Sequence, residues 1–326
     1  MESIDIFNIS SEAEFAEKAL QTFLFQYNNV EVYKTYVDLL KINPKQVDSI
    51  DKIPFLPIQF FKTHKIIAKG YKAQETFTSS GTTGTETSSH LVPDVNRYIE
   101  SFTRGFRYFY GDPANYVILA LLPAYLERTG SSLVFMADGL IKQSGKSESG
   151  FYLYQYDELV KKLIELSEKN VRVLLLGVSF ALLDLAERYN ISLENAIVME
   201  TGGMKGRRKE LIRNELHQLL QQAFGVKSIH SEYGMTELLS QAYSKGNGIF
   251  KCPPWMKVLV RDPSDPLTTT LLPMSGALNI IDLANTYSCS FIQTQDLGTL
   301  HADGSFEVLG RMDSSPVRGC NLLIYE

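Results

Sequence analysis

A run of hydroxyl residues and glycine lies between Thr76 and Ser89, with the sequence TFTSSGTTGTETSS. Glycine lets backbone N–H groups approach a ligand closely, because no Cβ blocks positive φ. Successive inward N–H groups form a concave nest that favours anions, and hydroxyls add further donors. Two interpretations stay open, a flexible linker or a mobile loop that closes on a phosphate chain. The candidate phosphate-binding residues are Ser79, Ser80, Gly81, Thr82, Thr83 and Gly84.

Neither of the two common glycine-rich phosphate motifs is present in this run. The motif G-x-x-x-x-G-K-[ST] requires a lysine directly after its last glycine, but Thr85, Glu86 and Thr87 follow Gly84. The dinucleotide pattern G-x-G-x-x-G is also missing. A phosphate held here would be bound by backbone N–H groups and hydroxyls rather than by a lysine of the run.

Two further polar motifs each follow a predicted strand. The segment 201–203, TGG, comes after a strand predicted at Ala196–Glu200. The segment 231–237, SEYGMTE, comes after a strand predicted at Lys227–His230. Ligands of open α/β sheets sit beyond the carboxyl ends of the strands, and these motifs offer an aromatic face, a hydroxyl and a carboxylate, which suit a nucleotide with Mg²⁺. A tight turn and a buried tyrosine ring are the alternative interpretations.

In their order, these motifs resemble the signature of the adenylate-forming superfamily, which includes acyl-CoA synthetases, luciferases, peptide-synthetase adenylation domains and phenylacetate–CoA ligases. That superfamily carries [ST]-S-G-T-T-G-x-P-K, a Gly-Gly loop against the adenine, Y-G-x-T-E, an aspartate for the ribose and G-R-x-D. The resemblance implies an α/β fold of parallel sheets with helices plus a small antiparallel β subdomain, and it implies ATP and Mg²⁺ as cofactors. The matching residues are Ser80–Gly84, Gly202-Gly203, Tyr233–Glu237, Asp296 and Gly310–Asp313.

The resemblance also implies a role for each matching residue. Tyr233 would stack on adenine, Thr236 would contact the α-phosphate, and Glu237 would hold Mg²⁺. Asp296 and Arg311 would bind the ribose hydroxyls. Beside the hydroxyl-rich run, the implied nucleotide-binding residues are Gly202, Gly203, Tyr233, Gly234, Met235, Thr236, Asp296 and Arg311.

The chain departs from the superfamily pattern at two places. Glu86 and Thr87 stand where proline and lysine are usual. The superfamily usually continues after G-R-x-D into a lid domain that carries a lysine, whereas the sequence ends thirteen residues after Asp313, so we expect the lid to be absent. Phosphate charge would then be met by Mg²⁺, by backbone N–H groups and by a basic cluster that is otherwise a solvated face. That cluster is Lys205, Arg207 and Arg208.

Over nearly its whole length the chain is most similar to the acyl-protein synthetase family, whose founding members are LuxE-type proteins. The segments 202–206, GGMKG, and 318–320, RGC, carry this likeness. In that family a fatty acid becomes an acyl-adenylate, and the acyl group passes to a cysteine near the C-terminus. Cys320 occupies that position and would be catalytic, since a thiolate near Arg318 is a strong nucleophile. A buried structural cysteine stays the alternative, with a carrier protein, CoA or an acyl-reductase partner as the acceptor; Cys252 and Cys289 are interpreted as structural.

Two other classes of protein remain as alternatives. A serine hydrolase would use Ser179, which lies in GVSFA, close to the G-x-S-x-G elbow, with His217, His230 or His301 as the base. It would leave the ordered nucleotide motifs unexplained. A non-catalytic nucleotide-binding or scaffold protein is the second alternative.

Composition indicates an ordinary globular protein. Of the 326 residues 44% are hydrophobic and 21% charged, and the net charge of −5 argues against nucleic-acid binding. The longest apolar run falls far short of the ~20 residues that span a bilayer. Met1 to Asn8 carry acids and no basic signal-peptide region, and three widely spaced cysteines show no metal-ligand pattern, so we expect a cytoplasmic, reduced protein.

The elements that position these residues alternate between strand and helix from Val92 onward, which indicates a parallel sheet with helices packed on it. We divide the single adenylation domain into residues 1–91, with N-terminal helices and the hydroxyl-rich run, an α/β core at 92–247, and a small β subdomain with the tail at 248–326. Ser11–Glu14 form a capping box before the first helix, and Ile53–Phe61 form an extended crossing. Further predicted helices are Val30–Leu40, one starting at Ser131–Met136, Tyr156–Glu168, Phe180–Tyr189 and Arg207–Phe224; further strands are Tyr116–Leu122, Val171–Leu176, Lys257–Val260, Ala277–Ile281, Ser290–Thr294 and Phe306–Leu309.

Overall fold

The structure is a computed structural model, and it describes residues 4–79, 87–123, 126, 129–203, 211–265, 267–270 and 272–312. Within these ranges the helices are α1 (Glu12–Asn29), α2 (Glu31–Leu39), α3 (Phe60–Thr63), α4 (Val95–Tyr110), α5 (Ser132–Ser144), α6 (Tyr156–Glu168), α7 (Ser179–Arg188) and α8 (Arg213–Phe224). The strands are β1 (Leu56–Pro57), β2 (Glu75–Thr78), β3 (Ser89–Val92), β4 (Val117–Leu121), β5 (Gly150–Tyr152), β6 (Val173–Val178), β7 (Ala196–Thr201), β8 (His230–Tyr233), β9 (Ala242–Ser244), β10 (Ile249–Lys251), β11 (Met256–Arg261), β12 (Thr269–Thr270), β13 (Met274–Asp282), β14 (Phe291–Leu300) and β15 (Phe306–Arg311).

One large mixed sheet organises the described part of the chain. Its order is β12-β11-β13-β14-β15-β10-β9-β8-β7-β6-β4-β5, and β1 pairs in parallel with β14. The strands from β5 to β8 run parallel, and every pairing from β8 to β12 is antiparallel. The predicted α/β fold with an antiparallel β part is therefore confirmed. The two parts share one hydrogen-bonded sheet, and the division at residues 91 and 247 stays a prediction.

Two of the parallel strands, β4 and β6, are apolar along their whole length, as is typical of strands that helices cover. All residues of β4, VILAL, and of β6, VLLLGV, are buried. Helices α5, α6 and α7 pack on these two strands, and α8 packs on α7. No helix in the described ranges is long and apolar enough to span a membrane.

The hairpin of β2 and β3 stands apart from the large sheet and frames the hydroxyl-rich run. Its register places Thr78 opposite Ser89, and the Thr78 amide donates to the Gly130 carbonyl at 2.8 Å. At the end of the hairpin the Ser79 amide donates to the Ser88 carbonyl at 3.0 Å, and the Ser88 amide donates to Ser79 Oγ at 2.8 Å. The hairpin thus closes the base of the run between these two serines.

Three predicted elements differ from the structure. The strand predicted at Lys227–His230 is wrong, since Gly225 ends α8 with φ at 62° and β8 begins only at His230. Within the extended crossing predicted at 53–61, only Leu56–Pro57 form a strand, β1. The last two residues of the predicted crossing belong to a helix, since α3 begins at Phe60. The helix predicted at Arg207–Phe224 begins only at Arg213, because Ile212 has an extended backbone and forms the N-cap; residues 204–210 lie outside the described ranges.

Gly298 lies in β14 where the neighbouring antiparallel strands leave no room for a side chain. A Cβ at this position would lie 2.2 Å from the Glu307 carbonyl oxygen and 2.8 Å from Leu278 Cδ2, so β13, β14 and β15 would have to separate. We expect Gly298→Ala to lower the free energy of unfolding by about 2 kcal/mol, as overpacking of a core does. The control Gly150→Ala adds a Cβ with nothing within 4 Å and should cost much less. Urea unfolding measures both, and equal stability of the two variants would contradict the packing argument.

Candidate active site

The motif at 201–203 and the motif at 231–237 lie close together at the carboxyl ends of the neighbouring strands β7 and β8. In the parallel register of β7 and β8, Thr201 lies opposite Glu232. The loop 202–203 therefore begins beside the residue that precedes Tyr233. Gly202 has φ at 65°, a left-handed conformation that favours glycine. The juxtaposition expected from the sequence is present, although the first three residues of SEYGMTE lie inside β8 rather than after it.

Three predicted nucleotide-binding side chains are joined by hydrogen bonds. Tyr233 Oη donates to Asp296 Oδ2 at 2.7 Å, and Arg311 Nε donates to Asp296 Oδ1 at 3.2 Å. The β14–β15 register pairs Asp296 directly with Arg311. The Tyr233 ring contacts Phe250 and Phe306, with centroids 5.9 and 5.6 Å apart, and its residue is 9% exposed. The side chain of Arg311, by contrast, is 69% exposed, so the group presents a cation to solvent above a buried phenol and carboxylate.

The segment after Glu237 is held by Asp282 at the end of β13. The fully buried Asp282 carboxylate accepts hydrogen bonds from the Leu239 amide at 2.7 Å, the Ser240 amide at 3.0 Å and Ser240 Oγ at 2.6 Å. It also accepts a bond from the Ala284 amide at 3.1 Å. These bonds attach the end of the Y-G-M-T-E segment to the turn that follows β13.

His90 and Asn285 hold the two predicted catalytic residues through their backbone. His90 Nδ1 lies 2.8 Å from the Thr236 carbonyl oxygen, and His90 Nε2 lies 2.9 Å from Asn285 Oδ1. Asn285 Nδ2 donates to the Glu237 carbonyl at 2.8 Å. The sequence reasoning missed both residues, because they are 195 positions apart and neither belongs to a recognisable motif. The one available signal was an isolated histidine directly after the hydroxyl-rich run.

Glu237 has the surroundings of a carboxylate that would accept a cation. Its residue is 5% exposed, and burial raises the pKa of its carboxyl, while a hydrogen bond with Ser88 and the charge of Arg311 oppose this shift. Mg²⁺ is usually bound by one or two carboxylates together with substrate phosphates rather than by a full cage of side chains. The described residues contain no cluster of three or more metal-ligating side chains. A single buried carboxyl beside a hydroxyl therefore fits Mg²⁺ shared with a polyphosphate.

Several predicted site residues lie outside the described ranges. Of the hydroxyl-rich run, Ser79 is described, whereas Ser80, Gly81, Thr82, Thr83 and Gly84 are not. The same holds for Cys320 and for the basic residues Lys205, Arg207 and Arg208. Their roles stay predictions.

Ser179 does not have the surroundings of a hydrolase nucleophile. The residue is 2% exposed, and its Oγ lies 3.0 Å from both Glu200 Oε2 and the Gly202 carbonyl oxygen. His217 Nε2 lies 3.5 Å from Glu200 Oε1, so the carboxylate stands between the serine and the histidine. A general base must reach the nucleophile directly. Ser179 instead helps to hold the Gly202 loop at the end of β7.

Glu200 is a buried anion whose cationic or donor partners include Ser179, His217 and Arg213. Burial raises the pKa of Glu200, but the hydrogen bond with His217 and the charge of Arg213 outweigh burial and hold the pKa below its usual value. Arg213 Nε lies 3.5 Å from Glu200 Oε1, and its guanidinium lies 4.9 Å from the Phe250 ring centroid. This network connects α8 to the aromatic group around Tyr233.

Glu232 is a second buried carboxyl that the sequence reasoning did not single out. Thr201 Oγ1 donates to Glu232 Oε2, and burial raises the pKa of Glu232 to about 7. A Cβ at Gly234 would lie 2.5 Å from Glu232 Oε1, so a side chain at residue 234 would have to displace this carboxyl. The carboxyl therefore lies between the two glycine motifs at the ends of β7 and β8.

The two described cysteines are suited to structural rather than catalytic roles. Burial raises the pKa of both Cys252 and Cys289 to about 12, so their thiols stay protonated at neutral pH. Cys289 is fully buried. Neither is a nucleophile in the described structure.

The sequence matches the profile of one known protein family over nearly its whole length. The sequence profile of the family described as "Acyl-protein synthetase, LuxE" matches residues 4–326. The chain belongs to the LuxE acyl-protein synthetase family. It is accordingly an ATP-dependent ligase of the adenylate-forming type, which activates a carboxylic acid as its acyl-adenylate. A search among curated protein sequences finds no match.

Solved structures with the same fold are adenylate-forming enzymes. An open conformation of 2-hydroxyisobutyryl-CoA ligase, in complex with 2-HIB-AMP and CoA, matches 93% of this chain and 70% of its own with a TM-score of 0.68 and 12% identity. McyG A-PCP complexed with phenylalanyl-adenylate matches 94% of this chain and 60% of its own, with a TM-score of 0.52 and 16% identity. The luciferase-like enzyme from the nonluminescent Zophobas morio mealworm matches 74% and 58%, with a TM-score of 0.51 and 15% identity. At such identities the likeness of this LuxE-family chain to these proteins establishes the fold.

The raised pKa of Glu232 predicts a pH dependence of stability. Because the pKa is about 7 in the folded chain against 4.5 when unfolded, its contribution is fully present below pH 4.5 and is lost as pH rises to 7. A shift of this size corresponds to about 3 kcal/mol. Glu232→Gln keeps an acceptor for Thr201 and carries no charge, so we expect its unfolding free energy to fall less between pH 4.5 and 8. The solvent-exposed control Glu168→Gln should retain the wild-type slope; identical slopes for wild type and Glu232→Gln in urea unfolding would refute this assignment.

Proposed function

We propose that this chain activates a fatty acid with Mg·ATP and transfers the acyl group to a protein thiol. The observation that carries the proposal is the hydrogen-bonded group of Tyr233, Asp296 and Arg311 beside the anchored Thr236–Glu237 segment. It combines an aromatic ring, ribose acceptors and a cation with a hydroxyl and a carboxylate, as a nucleoside triphosphate requires. The family assignment and the fold support the same reaction.

In the proposed reaction the carboxylate of the acid attacks the α-phosphorus of ATP. A bond forms between the carboxylate oxygen and phosphorus, the bond to the bridging oxygen breaks, and pyrophosphate leaves with its electron pair. The product is a mixed anhydride, in which AMP is a far better leaving group than hydroxide. Catalysis consists mainly of positioning and charge stabilisation.

The residues of the chain would divide these tasks. Tyr233 would stack on the base, Asp296 and Arg311 would hold the ribose, and Thr236 would donate to the α-phosphate. Glu237 would hold Mg²⁺, which supplies charge neutralisation for the phosphates when bound. The hydroxyl-rich run would close on the outgoing phosphates, starting from its anchored base at Ser79.

The acyl acceptor is the second half of the proposal. Attack of a thiolate on the carbonyl carbon of the acyl-adenylate forms a thioester and releases AMP. We assign this thiol to Cys320, with CoA, a carrier protein or an acyl-reductase partner as the alternatives. The raised pKa values of Cys252 and Cys289 argue against either of these two thiols as the acceptor.

Exchange of labelled pyrophosphate into ATP tests the first half. Only an adenylating enzyme shows exchange that depends on a carboxylic acid, so a panel of acids separates this function from a hydrolase or a nucleotide-binding scaffold. We expect Glu237→Gln to lower the exchange rate by about 100-fold, or about 3 kcal/mol, because the Mg²⁺ carboxylate is lost. The exposed control Glu194→Gln should exchange like wild type. Unchanged exchange by Glu237→Gln at saturating Mg²⁺ would remove Glu237 from this role.

Intact-mass spectrometry tests the acceptor. After incubation with ATP, Mg²⁺ and the acid, we expect a hydroxylamine-labile acyl adduct that Cys320→Ser abolishes while pyrophosphate exchange persists, because adenylation precedes transfer. Cys252→Ser should retain the adduct. Exchange without any adduct on the wild-type protein would mean that the acyl group leaves on a diffusible or partner thiol.

A further inference from the structure

His90 lies in β3, directly after the base of the hydroxyl-rich run, with its side chain fully buried. Its ring contacts Phe61 edge to face, with centroids 5.6 Å apart and an interplanar angle of 87°. Ser88, two residues earlier, lies near enough to the Glu237 carboxyl to lower its pKa. One short segment thus reaches both the side chain of Glu237 and the backbone beside it.

We propose that His90 is a positioning residue that fixes the Thr236–Glu237 peptide, and with it the Glu237 carboxylate, relative to the base of the phosphate loop. The inference rests on the proposed function and deepens it. His90 does not reach substrate in this role, since both of its ring nitrogens face protein oxygens.

The contacts connect two successive peptide groups, Thr236–Glu237 and Glu237–Leu238, on either side of the Glu237 Cα. They run from the Thr236 carbonyl to His90 Nδ1, from His90 Nε2 to Asn285 Oδ1, and from Asn285 Nδ2 to the Glu237 carbonyl, with distances of 2.8, 2.9 and 2.8 Å. A side-chain nitrogen therefore faces each carbonyl of the Thr236–Glu237 pair. Neither peptide group can rotate without breaking its contact with His90 or Asn285.

The turn that carries Asn285 is itself fixed from two helices. From α1, Gln26 Nε2 donates to the carbonyls of Asn285 at 3.0 Å and Thr286 at 2.9 Å. From α4, Arg97 Nε donates to the Ala284 carbonyl at 3.1 Å. Because these bonds hold the Asn285 turn in place, we expect that loss of the His90 contacts displaces the Thr236–Glu237 peptide rather than the turn.

Burial leaves His90 with a single ring proton at neutral pH, because it lowers the pKa of the imidazole to about 4. A neutral ring donates to only one of the two oxygens that face it. Substitutions at residue 90 can separate the two contacts, since an asparagine amide reaches the place of Nδ1 and a glutamine amide reaches the place of Nε2.

The test compares His90→Phe, His90→Asn and His90→Gln in pyrophosphate exchange and in calorimetric binding of Mg·ATP. His90→Phe keeps the ring against Phe61 and removes both contacts. We expect it to lower kcat by about tenfold or more, as loss of a residue that orients a metal ligand does, and to weaken Mg·ATP binding. Either His90→Asn or His90→Gln should retain most of the wild-type kcat and Mg·ATP affinity. The variant that does so identifies which ring nitrogen of His90 carries the proton.

A double-mutant cycle with Glu237→Gln separates positioning from general stability. If His90 acts through Glu237, His90→Phe should add little to the loss already caused by Glu237→Gln. The control His230→Phe removes a half-buried histidine that contacts Tyr110 Oη at 3.1 Å and should change thermal stability with little effect on kcat. Fully additive losses, or wild-type exchange and binding by His90→Phe, would overturn the proposal.

The two readouts also separate this inference from the proposed reaction. If the wild-type protein binds Mg·ATP but shows no exchange with any acid, the proposed reaction is rejected. The double-mutant cycle of His90→Phe with Glu237→Gln would then be measured by the affinity for Mg·ATP. A wild-type protein that binds no Mg·ATP would reject both.

Discussion

Asp282 ends β13 with its carboxylate fully buried, and it accepts hydrogen bonds from the amides of Leu239 and Ser240. A buried carboxylate is tolerated only when donors surround its oxygens, since an unpaired one loses its hydration without compensation. The segment that follows Glu237 must therefore stay folded against the end of β13. Asp282 also accepts from the Ala284 amide, so it joins this segment to the turn that carries Asn285, the residue that bonds the Glu237 carbonyl.

The position of β8 in the sheet explains why so many functional groups converge there. Its neighbour β7 is parallel, so the loop 202–203 starts at the same edge, while its neighbour β9 is antiparallel and returns the chain. Beyond β9 and β10, β15 and β14 carry Arg311 and Asp296. A change from parallel to antiparallel pairing at β8 thus brings together residues that were predicted, from distant parts of the sequence, to contact the base, the ribose and the phosphates.

The sequence allowed the fold class and the order of the motifs to be predicted, because the motifs are local and their residue types follow from the chemistry of a nucleotide. Contacts between segments that are far apart in the sequence could not be predicted in this way. The pairing of Asp296 with Arg311 depends on the β14–β15 register, and the bridge from His90 to Asn285 spans 195 positions. The strand predicted at Lys227–His230 was misplaced because Val226 and Ile229 favour a strand locally, whereas Gly225 ends α8 and delays the strand.

The unbroken sheet has a consequence for how the enzyme responds to its nucleotide. Tyr233, Asp296 and Arg311 belong to strands that are connected by backbone hydrogen bonds through β9 and β10. We therefore expect these strands to open to solvent as one cooperative unit. A ligand bound by this unit adds its binding free energy to the unit as a whole rather than to one loop. Occupancy by ATP would thereby slow amide exchange in the apolar interior of the sheet, far from the phosphates themselves.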